Sequence, residues 1–388
     1  MSATRIQTRA VAQFQCAGDA CPDTCCKGWG MQLAAPTVEK YRTAAPELLD
    51  AVTSGEAEHI MKRDPITDYC VKFDAGWCGI HRQYGEEFLG DACHFYPRIT
   101  RAFNDTVTTT LALSCPEAAR LMLLEPDAFQ PTPREELRVP FSLKNYQQEG
   151  LSADDALALH QLLLDSVADT AVTAERHAMR LLMVAQALQP QPASSWLAAG
   201  KFYLSMADGR LPAAEPHAAD MIYLVQALAG LVAASKATAR PALAAVLASM
   251  QRGLALEVGA GGQWAATANT PEALNRLQQH ALDAQAWLQP LLRRFLQAQL
   301  SQASFPFAGL GATPAERMTI MAVRLATTKL ALLCEAQGGV LDTARTVAVI
   351  YPLARFLDHL ADPTLSLAIY QEVGWLRDAR LRALLGDA

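Results

Sequence analysis

Phe14-Gln15-Cys16-Ala17-Gly18-Asp19-Ala20-Cys21-Pro22-Asp23-Thr24-Cys25-Cys26-Lys27-Gly28-Trp29 places four thiols within eleven residues. Spacing this close lets one loop wrap an ion or a cluster without long-range folding, and Gly18, Pro22 and Gly28 supply turns that bring the backbone near it. The stretch therefore reads as an irregular soft-metal loop. Cys25 and Cys26 are adjacent, and neighbouring side chains of an extended backbone point to opposite sides. The pair thus predicts two sites, two irons of one cluster, or one ligand beside a free redox thiol.

Outward from that loop, Cys70, Cys78, Cys93 and Cys115 follow at wider spacing, and only Cys334 comes later. His81 and His94 stand beside this second group as candidate ligands or as hydrogen-bonding partners of ligands. The asymmetry divides the chain into three parts. Residues 1–125 form a cysteine-rich metal-binding module with little regular strand; residues 126–150, carrying Pro126, Pro131 and Pro133, form a linker; residues 151–388 form an all-α domain. The expected fold class is mainly α. A disulfide framework competes with the metal reading, since eight cysteines can pair. The opening residues lack the apolar core of an export signal, and no stretch offers about 20 uninterrupted apolar residues. Both features predict a cytoplasmic protein, in which clustered thiols serve as ligands or redox groups.

The chain has 388 residues, 51% hydrophobic and 19% charged, enough for a large core in two domains. Its net charge of −6 gives no broad positive field to hold nucleic-acid phosphates or an anionic membrane, so neither is expected as a partner. A basic protein or peptide suits it better.

From Ser152 onward, apolar residues recur at helical spacing. Ser152 with Asp155, Thr270-Pro271-Glu272, and Thr313-Pro314-Ala315-Glu316 read as helix starts, and Gly338-Gly339 as a stop. Leu159, Leu162, Leu163 and Val167 share one core-facing stripe. The stretch 273–300 predicts two packed helices broken at Pro290. Cys334, beside Leu332 and Leu333, reads as a buried apolar residue. Leu256-Glu257-Val258-Gly259-Ala260-Gly261-Gly262-Gln263 echoes the glycine loop of Rossmann methyltransferases, but no βαβ alternation surrounds it, so a helix–helix loop is expected.

Taken in order, Phe14, Cys16, Cys21, Asp23-Thr24-Cys25-Cys26, Gly28-Trp29, Tyr41, Cys70, Cys78, Ile80, Gly85, Leu89, Cys93, Tyr96-Pro97-Arg98, Ser114-Cys115-Pro116-Glu117 and Arg120 form a longer pattern. This pattern resembles the flagellin lysine-N-methylase family, part of a wider group of eight-cysteine zinc- or iron-chelating proteins. The resemblance covers roughly the first 125 residues. It implies a cytoplasmic enzyme that transfers a methyl group from S-adenosylmethionine to lysine ε-amines of flagellin and carries a [4Fe–4S] cluster, with zinc as the alternative metal. Cys16, Cys21, Cys25, Cys26, Cys70, Cys78, Cys93 and Cys115 fall on the family's cysteine positions and are the expected metal ligands. The alternative function is a zinc- or iron-binding adaptor, or a redox sensor, without catalysis.

Lysine attacks a methyl group only as the neutral amine, so such an enzyme needs a base and a pocket that excludes water. Glu86, Glu87, Asp91, Tyr96 and Glu117 are the candidates within the cysteine-rich segment. Arg98 is the expected cofactor-binding residue, its guanidinium suited to grip a carboxylate through two bonds. Trp29 and Trp77, near the thiols, either shield a cluster from water or fill a small core. The Cys-x3-Cys-x2-Cys signature of radical enzymes is absent.

Overall fold

Thr313 starts the central helix of the molecule. Its hydroxyl accepts from the Glu316 amide at 3.2 Å while the Glu316 carboxylate accepts from the Thr313 amide at 3.1 Å, with Pro314 at the first helical position. In the computed structural model, which describes residues 4–54, 59–103, 106–133, 140, 143–146, 148–207, 218–235, 240–259, 264–360 and 364–386, this helix runs Pro314–Ala336. It is buried along most of its length, Cys334 included, because Ala174–Leu188, Pro241–Gly253, Gln285–Ala303 and Thr343–Asp358 pack around it. Ser152 caps Ala153–Ser166 by accepting from the Asp155 amide at 3.1 Å, and Leu159, Leu163 and Val167 are fully buried on its inner face.

The protein is mainly α, with differences from expectation in both halves. The stretch 273–300 does form two helices, Thr270–Asp283 and Gln285–Ala303, but the break falls at Ala284 and Pro290 lies inside the second. A mid-helix proline costs about 3 kcal/mol. Burial of Leu288, Leu291, Leu292, Phe295 and Leu296 offsets it, at roughly 1.5–3 kcal/mol for each such side chain. The helical half also holds strand: Leu256–Val258 pairs with Trp264–Ala266 where a helix–helix loop is expected. The tip of that glycine-rich motif, residues 260–263, lies outside the described residues.

The cysteine-rich segment carries more strand than its sequence leads one to expect. Arg98–Phe103, Thr106–Leu111, Thr4–Thr8 and Pro131–Pro133 form a four-stranded sheet in that spatial order. Thr4–Thr8 runs parallel to Thr106–Leu111 and antiparallel to Pro131–Pro133. The last strand comes from the stretch expected as a linker, and its prolines are accommodated because it is the sheet edge. Gln32–Leu33, His59–Met61 and Val52–Ser54 form a second small sheet, and Phe73–Asp74 pairs with Trp77–Cys78. Most of these strands are too short for an alternating pattern to show in sequence.

Two apolar cores result. One joins Ala10, Val11, Phe14, Leu111, Leu113 and the helix Pro116–Leu124 to the whole helical half, and Cys115 packs against it. The other, built on Leu33, Val38, Tyr41, Leu48, Met61, Ile80 and Leu89, has Cys70, Cys78 and Cys93 against it. The thiols thus collect along the seam between the two. Among the described residues no helix is long and apolar enough to cross a membrane.

Candidate metal centre and adjoining cavities

Local backbone chemistry brings the cysteines to that seam. Ala75 and Gly76, both at positive φ (48° and 81°), close the tight hairpin that carries Cys78. Gly18, at φ 58°, lies so close under the Trp77 ring that a Cβ there would stand 1.5 Å from it, so only glycine lets the first cysteine loop rest on the hairpin. The Cys70 amide donates to the Cys26 carbonyl at 2.8 Å, tying the first loop to the second group. The Cys26 amide donates to the Thr24 hydroxyl at 3.1 Å. Cys93 sits in the short helix Asp91–Phe95, and Cys115 is the residue capping Pro116–Leu124.

All eight expected ligands, Cys16, Cys21, Cys25, Cys26, Cys70, Cys78, Cys93 and Cys115, line one cavity of about 400 Å³. None is in a disulfide. Their electrostatics separate two groups. Burial and then the charges of Cys78, Cys26 and Cys70 push the Cys93 thiol up; Cys70 and Cys78 are raised by burial and by Cys26. On the other side, burial and then Cys21 and Cys16 push Cys115 up to about 11, and burial with Cys16 raises Cys21. The Cys26 thiol is pushed far up by its hydrogen bond with Cys25, then by burial. Thiols this crowded ionise together only around a shared positive charge. Among the described residues no three His, Cys, Asp or Glu side chains form a single-ion site.

His81 and His94 line the same cavity. His81 stacks on Trp77 at 5.9 Å between ring centroids, and His94 Nδ1 lies 3.2 Å from Glu86 Oε1. Of the candidate bases, Glu117 is held by Arg120 at 2.8 Å, and Glu87 and Asp91 line none of the cavities described here. The Tyr96 hydroxyl donates to Ser114 Oγ at 3.2 Å, and burial pushes its pKa up, so it is a poor proton acceptor.

A second cavity, of about 740 Å³, shares Cys25, Met31, Tyr96, Pro97 and Arg98 with the first. Arg98 opens the strand Arg98–Phe103, and its guanidinium lies 5.2 Å over the Phe14 ring. Burial lowers its pKa while Glu86 and Cys16 raise it. The far wall comes from the helical half: Gln299 and Gln302 from Gln285–Ala303, and Arg317 and Arg324 from the central helix. Gln302 is 9% exposed, and its Nε2, like Nε of Arg101 on the strand Arg98–Phe103, is buried without a hydrogen-bond partner among the described residues.

A third cavity, of about 750 Å³, lies on the other side of Trp29 and His359, which line both. Those two rings meet edge to face at 4.1 Å, Tyr96 lies 5.6 Å from Trp29, and the guanidiniums of Arg240 and Arg355 each lie 5.7 Å from it. The arginines also fasten the first cysteine loop to the helices. Arg355 Nη1 pairs with Asp23 Oδ2 at 2.7 Å, Nη2 donates to the Asp23 carbonyl at 3.1 Å, and Nε donates to the Ser114 carbonyl at 3.0 Å. Arg240 lies 3.5 Å from Asp23 Oδ1 and donates to the Lys27 carbonyl. Sequence reasoning singled out none of Arg240, Gln302, Arg355 or His359. Only Asp23, inside the cysteine motif, carried a signal.

No family model and no solved structure matches the chain. Flagellar biosynthetic protein FliU of Salmonella muenchen is 33% identical over 130 residues, 30% of this chain and 76% of FliU. Lysine-N-methylases of Salmonella typhimurium and Salmonella choleraesuis are each 29% identical over 131 residues, again 30% of this chain. That match is 32% of their own length, so the chain spans about a third of the lysine-N-methylases it matches. By its identity to FliU across three quarters of that protein, the chain belongs to the family of FliU and these lysine-N-methylases.

Proposed function

We propose that the protein is an S-adenosylmethionine-dependent methyltransferase acting on lysine ε-amines of flagellin, with an iron–sulfur cluster held by the N-terminal cysteines. The observation that carries this reading is that all eight family cysteines line one cavity sharing a wall with a larger one. The donor set fits the cluster. It is all sulfur and unpaired, a shell that both iron–sulfur clusters and zinc accept, and the family resemblance favours the cluster. Cys26, Cys70, Cys78 and Cys93 make up one candidate ligand group, and Cys16, Cys21 and Cys115 the core of another, with Cys25 hydrogen-bonded to Cys26. A cluster there supplies an anchor that ties loop, hairpin and helix start into one body.

S-adenosylmethionine is the donor substrate and brings an electrophilic methyl on a sulfonium. The 740 Å³ cavity is of a size that small-molecule sites have. Arg98 and Arg101 supply guanidiniums for a carboxylate, and the carboxamides of Gln299 and Gln302 offer donors and acceptors to a heteroaromatic base. Trp29, with Tyr96 5.6 Å from it, stands on the side toward the third cavity and limits the water that reaches the donor from there.

Co-expression with the host's flagellin, followed by intact mass measurement, tests the activity. The expected result is mass increments of one methyl group, lost when Cys21→Ser is co-expressed instead. Unmodified flagellin beside protein that retains its cluster contradicts the reading.

A further inference from the structure

A lysine ammonium has no lone pair, and its ordinary pKa of about 10.4 keeps it charged at neutral pH, so a group at the site has to take its proton. The cavities on either side of Trp29 hold the acceptors within reach. Every carboxylate among the described residues lining them is tied to an arginine: Asp358 to Arg324 at 2.6 Å, Asp23 to Arg355 at 2.7 Å, and Asp68 to Arg63 at 2.6 Å. Tyr96 spends its hydroxyl proton on Ser114. His359 differs from all of these. It follows the helix Thr343–Asp358, faces both cavities, touches the Trp29 ring at 4.1 Å, and neither of its nitrogens makes a hydrogen bond to a described residue.

We propose that His359 is the catalytic base of the methyl transfer, taking the proton of a substrate lysine that enters through the cavity lined by Lys27, Asp68 and Arg240. The inference rests on the lysine-methyltransferase reading above. One N–H bond of the ε-ammonium breaks and its proton adds to an imidazole nitrogen. The freed lone pair bonds the donor's methyl carbon as that carbon's bond to sulfur breaks, and the bonding electrons stay on sulfur. The imidazolium returns its proton to solvent through the cavity the lysine entered by.

The charges around His359 suit this role. Burial lowers its pKa first; Asp358, on its own helix, raises it, while Arg355 of that helix, Arg240 ahead of Pro241–Gly253 and Arg324 of the central helix lower it. The imidazole is therefore neutral, with a lone pair to offer, at pH 7. The same guanidiniums disfavour an ammonium beside them, and Asp358 offsets their effect on the imidazolium that forms.

Cluster-loaded wild type, His359→Gln and His359→Gly are to be compared for methyl incorporation into flagellin across pH. At pH 7 both variants are expected to lose about 10²-fold or more in rate. Their remaining rate climbs with pH where the wild type has levelled off, and added imidazole restores His359→Gly. Independently of activity, a histidine carbon–proton NMR signal missing from His359→Gln is expected to titrate below the usual value of about 6.5 in the wild type. A wild-type rate and pH profile in His359→Gln overturns the assignment and leaves the methyltransferase reading standing. Loaded wild type that never methylates flagellin overturns both.

Discussion

Replacing Arg355 with Met cuts the strongest tie between the helical half and the first cysteine loop. The guanidinium is 5% exposed and makes three contacts, with the Asp23 carboxylate, the Asp23 carbonyl and the Ser114 carbonyl. Removing one partner of a buried ion pair costs about 3–5 kcal/mol, because the other charge is left behind. Two features place this case at the low end. Arg240 remains 3.5 Å from the other Asp23 oxygen, and the adjacent 750 Å³ cavity admits water to the site. A loss of about 3 kcal/mol corresponds to roughly 10²-fold more frequent opening. Hydrogen exchange followed by mass spectrometry reads it directly, as faster exchange over residues 21–27 with the helix Ala174–Leu188 unchanged. Arg355→Lys keeps the charge but not the planar fork that bridges two carbonyls and a carboxylate, so it falls in between. Exchange accelerated less than about fivefold, the worth of a surface pair, refutes the claim that this arginine holds the loop.

Three further substitutions test the site's construction. Gly18→Ala drives a methyl group into the Trp77 ring at a backbone angle of +58°, and is expected to lower iron bound per chain and shift tryptophan emission. Gly338→Ala, at +88° with nothing within 4 Å, is expected to cost only backbone strain of about 1–2 kcal/mol and leave iron content alone. Cys334→Ala removes a thiol that is 1% exposed and packed against Gly253. It should cost about 1–2 kcal/mol of stability, with bound iron unchanged; a drop in iron would mean that the ninth cysteine takes part in loading.

What the sequence disclosed follows from how local each signal is. Thr313 with Glu316, and Ser152 with Asp155, act across three residues, and both helix starts appear where their patterns place them. Pro290 misled because proline's cost is local and fixed while the compensating burial comes from helices elsewhere in the chain and is not written nearby. The first strand pairs with residues more than a hundred positions away, so no periodicity announces it. The cysteines were legible as a set through spacing and resemblance. All eight line one cavity, and the adjacency of Cys25 and Cys26 shows as a hydrogen bond between the two thiols. His359 lies 330 positions from Trp29 in sequence and 4.1 Å from it in space, a relation that only the packing of Thr343–Asp358 against the cysteine loop creates.

Thr4–Thr8 is an interior strand, flanked by Thr106–Leu111 on one side and Pro131–Pro133 on the other. During translation, then, this strand waits for its neighbours, since both flanking strands are made about a hundred residues later. Throughout that interval the four thiols from Cys16 to Cys26 lack the sheet beside them, and Arg240 and Arg355, which fasten their loop to the helices, are made later still.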